Sequence, residues 1–171
     1  MVMTAPIRRA LTPQAVLAVL NQVPDPEIPA ISIVELGMIG SIDVSADEIV
    51  VELVPTFVGC PALEIIRDAV TARVQELGRP VRVEVSFATP WSSDRISETG
   101  REKLRASGFA PPPLVRPGRV LPMLDSAVAP VACPYCGSLR TTLENAFGPT
   151  QCRSIRYCAE CRQPFESFKP I

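Results

Sequence analysis

Two CxxC pairs, Cys133-Pro-Tyr-Cys136 and Cys158-Ala-Glu-Cys161, stand 21 residues apart near the end of a 171-residue chain. Each pair can wrap a metal ion in a tight turn, presenting two thiolates and backbone N–H groups that offset their charge. A tail of about 40 residues cannot bury enough apolar surface to fold alone, so a metal is expected to order it. Four thiolates at tetrahedral positions suit zinc in a closed structural site. An iron–sulfur cluster is the alternative occupant of a four-cysteine set. The gap is slightly longer than the commonest ribbon spacing and fits a hairpin. A redox CxxC would want a βαβ context, which the tail lacks. Cys152 lies between the pairs as an additional thiol that could replace one ligand or stand beside the site.

Upstream of the pairs, Pro111, Pro112, Pro113, Pro117, Pro122 and Pro130 fill one short stretch. Proline fixes φ and removes a donor, so residues 110–130 read as a linker with no regular element longer than a turn. The expected division is therefore 1–109, a linker over 110–130, and a four-cysteine zinc ribbon over 131–171. In the first part, Thr12-Pro13 starts a helix with Val16, Leu20 and Val23 on one stripe, ended by Pro24 and Pro26. Met38 to Val44 and Glu48 to Val54 read as strands joined by Ser45-Ala46-Asp47. Pro61 to Leu77 is the strongest helix, with Leu63, Ile66, Val70, Val74 and Leu77 on one face and Gly78 at its end. Val81, Val83, Val85 and Phe87 alternate with Arg82, Glu84 and Ser86 as a half-exposed strand, and Asp94 to Ser107 reads as a charged helix. The order α-β-β-α-β predicts an α+β sandwich with its helices on one face of a small sheet.

Composition excludes several functions. The chain has no histidine, which closes every Ser-His, Cys-His and His-metal mechanism to it acting alone. Its net charge of −1 offers no global field for nucleic acid or an anionic membrane. The ribbon's small surplus of cations and its aromatics Tyr157, Phe165 and Phe168 are a weak nucleic-acid footprint; packing around the metal accounts for those rings more simply. The longest stretch without Asp, Glu, Lys or Arg, Ala10 to Pro24, is 15 residues and cannot span a bilayer. CxxC pairs in a chain without a secretory cleavage pattern point to a reducing, cytoplasmic setting.

Two loops carry candidate chemistry. Cys60, in Pro55-Thr56-Phe57-Val58-Gly59-Cys60-Pro61, is expected at the N-cap of the strongest helix, where unpaired N–H groups favour thiolate. The plainer reading is a small buried cysteine at a strand–helix corner. Asp25-Pro26-Glu27-Ile28-Pro29 holds two carboxylates in a stiff loop, able to act as hard ligands beside a Cys60 thiolate or simply as solvated acids in a turn. Neither loop supplies a general base tuned to neutral pH.

Asp25-Pro26-Glu27-Ile28-Pro29, Ser32-Ile33-Val34-Glu35-Leu36-Gly37-Met38 and the Thr56-x-x-Gly59-Cys60-Pro61 motif together resemble a metal–sulfur cluster assembly family that includes SufT and the eukaryotic cytosolic iron–sulfur targeting factors. The stretches Thr89 to Glu98, Gly108 to Pro112, Gly148 to Arg153 and Pro164 to Lys169, with the ribbon, resemble the PaaD (PaaJ) subunit family of bacterial phenylacetyl-CoA epoxidase over nearly the whole chain. The resemblance implies an accessory subunit of phenylacetate degradation that assembles or delivers an iron or iron–sulfur centre to the reductase or oxygenase subunits. Catalysis by the chain itself is not expected. The resemblance further implies structural zinc at Cys133, Cys136, Cys158 and Cys161, and transient iron or a cluster handled by Cys60, Asp25, Glu27 and Thr56. A docking subunit of the oxygenase complex is the alternative, and a homodimer is left open.

Overall fold

The computed structural model describes residues 11–114 and 131–169. Helix α1 (Pro13–Leu20) starts as its sequence predicts, with the Thr12 hydroxyl accepting from the Ala15 N–H at 3.3 Å. It stops at Leu20, ahead of the prolines expected to end it. Ser32 Oγ donates to Asn21 Oδ1 at 2.8 Å, and Pro24 disfavours helical φ/ψ at Val23. Strands β1 (Ile39–Val44) and β2 (Ile49–Leu53) form the expected antiparallel hairpin. Its turn is held by Ser45 Oγ, which accepts from the N–H groups of Asp47 and Glu48. Helix α2 (Leu63–Gln75) then crosses the sheet, and β3 (Val81–Val85) returns parallel to β2, giving the order β1-β2-β3.

Strand β2 is central, so Ile49, Val51 and Leu53 lose all exposure beneath Val16 and Leu20 of α1 and Ile66, Val70 and Val74 of α2. The opposite sheet face is polar: Arg82 pairs with Glu48 at 3.1 Å and with Glu84 beside it. Both helices therefore cover one face, as the periodicity requires.

The charged helix expected over Asp94 to Ser107 is split. A 3₁₀ turn, Ser93–Arg95, is followed by an extended Ile96 (ψ 121°) and then by α3 (Glu98–Ala106). Two serines break it: Ser92 Oγ accepts from the Asp94 N–H, and Ser97 Oγ caps α3 through the Gly100 N–H at 3.0 Å. The break lets Ile96 bury itself.

After Gly108, at φ +83°, the chain reverses into β4 (Phe109–Ala110). This short strand joins a second sheet, pairing in parallel with the last strand of the ribbon. The ribbon strands are β5 (Thr141–Asn145), β6 (Arg153–Cys158) and β7 (Pro164–Phe168), in the order β4-β7-β6-β5. The gap between the CxxC pairs is the β5–β6 hairpin, as expected. Most of the linker expected over 110–130 lies outside the described residues. At the four-cysteine end of the ribbon, the buried core among the described residues is Ala110, Cys133, Cys158 and Phe165, with Val131 and Cys161 packed against it. At the other end Cys152 and Phe168 join the core of the N-terminal unit, and the Phe168 ring lies 6.3 Å from that of Trp91.

Candidate metal centres

The four ribbon thiols converge. All four Sγ atoms lie within 4.8 Å of one another, with Cys133–Cys161 and Cys136–Cys158 each at 3.6 Å. A Zn–S bond of about 2.3 Å in a regular tetrahedron implies S···S edges of about 3.8 Å, so these edges fit zinc closely. Both turns use one geometry: the residue after the second cysteine is left-handed, Gly137 at φ +74° and Arg162 at φ +60°. The N–H groups of Cys161 and Glu160 point at the Cys158 sulfur and draw its pKa down to about 7. The Cys161 thiol is pushed up to about 12, by burial first and then by the neighbouring sulfurs. A divalent cation among the sulfurs would relieve that mutual repulsion. Cys152 is not among the converging four; it sits in the N-terminal core.

The acidic loop is built from its own side chains. Asp25 Oδ1 accepts from the N–H groups of Glu27 and Ile28, both at 2.9 Å, while the Asp25 N–H reaches Ile31 O. Ser32 and Glu35 then bond reciprocally: the Ser32 N–H donates to Glu35 Oε2 and the Glu35 N–H donates to Ser32 Oγ. Burial alone would raise the Glu35 carboxyl, but Lys103 at 2.6 Å and the Ser32 donors hold it below its ordinary value. The segment beyond β3 clamps this loop from outside. Trp91 Nε1 donates to Leu36 O at 2.9 Å, and Arg95 donates to the carbonyls of Gly37 and Ile39 at 2.8 Å. Gly37 must be glycine, because φ is +71° and a Cβ would stand 2.4 Å from Arg95 O.

Cys60 departs from expectation. The N-cap of α2 is Ala62, and Cys60 lies in the turn before it, half-buried. One amide, that of Ala62, does lower its pKa. Burial outweighs that, and the charges of Glu27, Cys152 and Asp25 add to the burial, so the thiol is raised rather than lowered. The expectation of a thiolate favoured by the helix start is thus corrected: two carboxylates and a second sulfur face it. The charges of Asp25 and Glu27 reach the Cys60 thiol, the three do not stand at ligand spacing, and Thr56 is buried on the Cys60 loop. Burial raises the Asp25 carboxyl as well, against the pull of its two N–H donors.

Sequence reasoning missed Arg153. Its guanidinium is buried at the seam between the N-terminal unit and the ribbon, 2.9 Å from Glu166, 3.4 Å from Glu27 and 2.8 Å from Thr150 Oγ1, with the Phe109 ring beneath it. It ties the acidic loop to the ribbon, a role that no local pattern announces.

Comparison with known proteins places both halves. Residues 13–87 match the family model of iron–sulfur cluster assembly proteins, and residues 119–169 match the PaaD zinc β-ribbon domain. A protein of Escherichia coli (strain K12), named as a putative 1,2-phenylacetyl-CoA epoxidase subunit, is 37% identical over 155 residues, covering 90% of each chain. The chain belongs to the PaaD family of phenylacetyl-CoA epoxidase subunits. Among solved structures, a domain of unknown function (DUF59) from Bacillus anthracis superposes with a TM-score of 0.51 at 26% identity, covering 54% of this chain and 90% of that one. That agrees with the α+β reading of the N-terminal unit. In this PaaD-family chain the four-cysteine cluster falls inside the matched zinc ribbon, and the donor set suits zinc. Among the described residues, no helix is long and apolar enough to cross a membrane.

Proposed function

We propose that the protein is an accessory subunit of a phenylacetyl-CoA epoxidase that hands iron, or an iron–sulfur unit, to the reductase or oxygenase subunits. The reading rests on one observation above others: Cys60 and the carboxylates of Asp25 and Glu27, whose charges act on its thiol, lie within the region that matches iron–sulfur cluster assembly proteins. A thiol beside carboxylates offers soft and hard donors together, a set suited to ferrous iron and open enough to release it. Thr56 is buried on the Cys60 loop. The cargo is the substrate of this transfer, and the chain catalyses no ring oxidation. Zinc at Cys133, Cys136, Cys158 and Cys161 holds the ribbon, whose own core is too small to order it. We divide the chain into an assembly unit over 1–109, a linker over 110–130 and a ribbon over 131–171.

The docking alternative draws support from the raised Cys60 thiol, which is the behaviour of a packing cysteine. Co-expression of the reductase and oxygenase subunits with wild type or Cys60→Ser separates the two. Transfer through Cys60 lowers partner iron and epoxidation together in the mutant, with the complex and its zinc intact. Equal partner iron and equal epoxidation would remove the delivery role and leave a docking subunit.

A further inference from the structure

The three-stranded sheet ends on two unlike edges. Strand β1 is irregular, with a register shift between Ile39 and Ile42 that disrupts its ladder. Strand β3 runs beside β2 without a break from Val81 to Val85, and among the described residues no strand lies on its outer side. The Ile49 N–H donates to Pro80 O and the Ser86 N–H donates to Leu53 O, both at 2.9 Å. In a parallel ladder that phase directs the N–H and C=O groups of Arg82 and Glu84 to β2. It turns those of Val81, Val83 and Val85 outward. A regular edge with such groups unpaired is a template for another strand.

The side chains decide which strand fits. Arg82 and Glu84 stand on the polar sheet face, one on each side of Val83, and both are exposed. A second copy of β3 can be laid antiparallel with its Val83 opposite this one. Each Arg82 then meets Glu84 of the other copy, twice over by symmetry. Val81, Val83 and Val85 fall in hydrogen-bonded pairs in that register. The charges fall in the intervening pairs, where side chains approach most closely. Sliding to either neighbouring register of the same phase sets Arg82 against Arg82 or Glu84 against Glu84, which is unfavourable. The edge is therefore complementary to itself in one antiparallel register.

We propose that two copies of the chain pair through β3 about a two-fold axis at Val83, joining their three-stranded sheets into one. Each Arg82 then lies between Glu48 of its own chain, 3.1 Å away, and Glu84 of the other copy. On the helix face, Val81 and Val83, half-buried against the core of one chain, meet their counterparts. The Cys60 loop leaves the end of β2, so antiparallel pairing sends the two such loops to opposite ends of the joined sheet. The inference does not depend on the reading of Cys60 as a cargo thiol.

The test is sedimentation equilibrium on the full zinc-loaded chain, with amide hydrogen exchange followed in parallel. Wild type should associate to a dimer at micromolar concentration, and the Val81, Val83 and Val85 amides should gain protection as it does. Arg82→Glu and Glu84→Arg should each weaken the dimer about tenfold, because both symmetric pairs turn repulsive. Their zinc content should be unchanged, since these charges lie at the surface. The two single variants, mixed, should form a heterodimer, and the double variant carrying both changes should regain wild-type association. A wild type that stays monomeric, or a dimer indifferent to either reversal, would overturn the proposal. Dissociation that neither mixing nor the double exchange restores would overturn it equally.

Discussion

At the scale of single residues, the two knuckles of the ribbon differ in one strained position. Gly137 and Arg162 occupy the same left-handed conformation, which costs a side-chain-bearing residue about 1–2 kcal/mol. Arg162→Gly should therefore stabilise the ribbon by about 1 kcal/mol, read as a higher denaturation midpoint and slower zinc loss to a chelator. Asp25 carries a second prediction. Its raised pKa means that the folded chain holds the proton more tightly than the unfolded one. Its contribution to stability is complete below the ordinary carboxylate value, about 4, and falls as pH rises through the raised value. Asn keeps an acceptor for the Glu27 and Ile28 N–H groups and removes the titration. Asp25→Asn should match wild type near pH 3 and melt at a higher temperature at pH 7; a lower melting temperature at pH 7 would refute the account. The same variant should be impaired in iron transfer, since the residue that costs stability is the one placed to bind.

At the scale of elements, what could be read in the sequence depended on the range of the forces. The α1 start, the β1–β2 hairpin, the β3 alternation and the Gly78 turn follow from neighbours within a few residues, and each appears as the pattern predicts. The convergence of Cys133, Cys136, Cys158 and Cys161 was legible for the same reason, because a CxxC turn carries its own geometry. The split at Ile96 was hidden because Ser92 and Ser97 cap only if the chain turns there, a choice made by the pocket that receives Ile96. Cys60 failed in the same way: its local amide does lower the pKa, but burial and groups from Asp25, Glu27 and Cys152, distant in sequence, decide the sign. Elements also differ in tolerance. Gly37→Ala should cost more than about 1 kcal/mol, because it adds a clash with Arg95 to the unfavourable φ. Urea unfolding of the mutant, with loss of protection at the Met38 and Leu36 amides, checks it.

At the scale of the whole molecule, the ribbon is both a separate sheet and part of the first core. Cys136→Ser should release zinc and expose β5 to β7 to protease. It should also lower the melting temperature of the N-terminal unit, since Phe168 is packed on Trp91. Phe168→Ala tests that coupling without touching a thiol: a loss of about 3 kcal/mol is expected for a buried phenylalanine, with zinc retained. Unfolding of the N-terminal unit at the wild-type midpoint in both variants would mean that the seam carries no load. The buried Arg153, gripping Glu27 on one side and Glu166 on the other, gives this seam a thermodynamic property of its own. Binding free energies are reciprocal. If cargo bound at the acidic loop favours the arrangement in which Arg153 ties that loop to the ribbon, then a partner that prises the two apart must weaken the grip on that cargo by the same factor. Docking and unloading would then be two descriptions of one equilibrium, and the receiving subunit would need only to bind the opened form in order to be paid in iron.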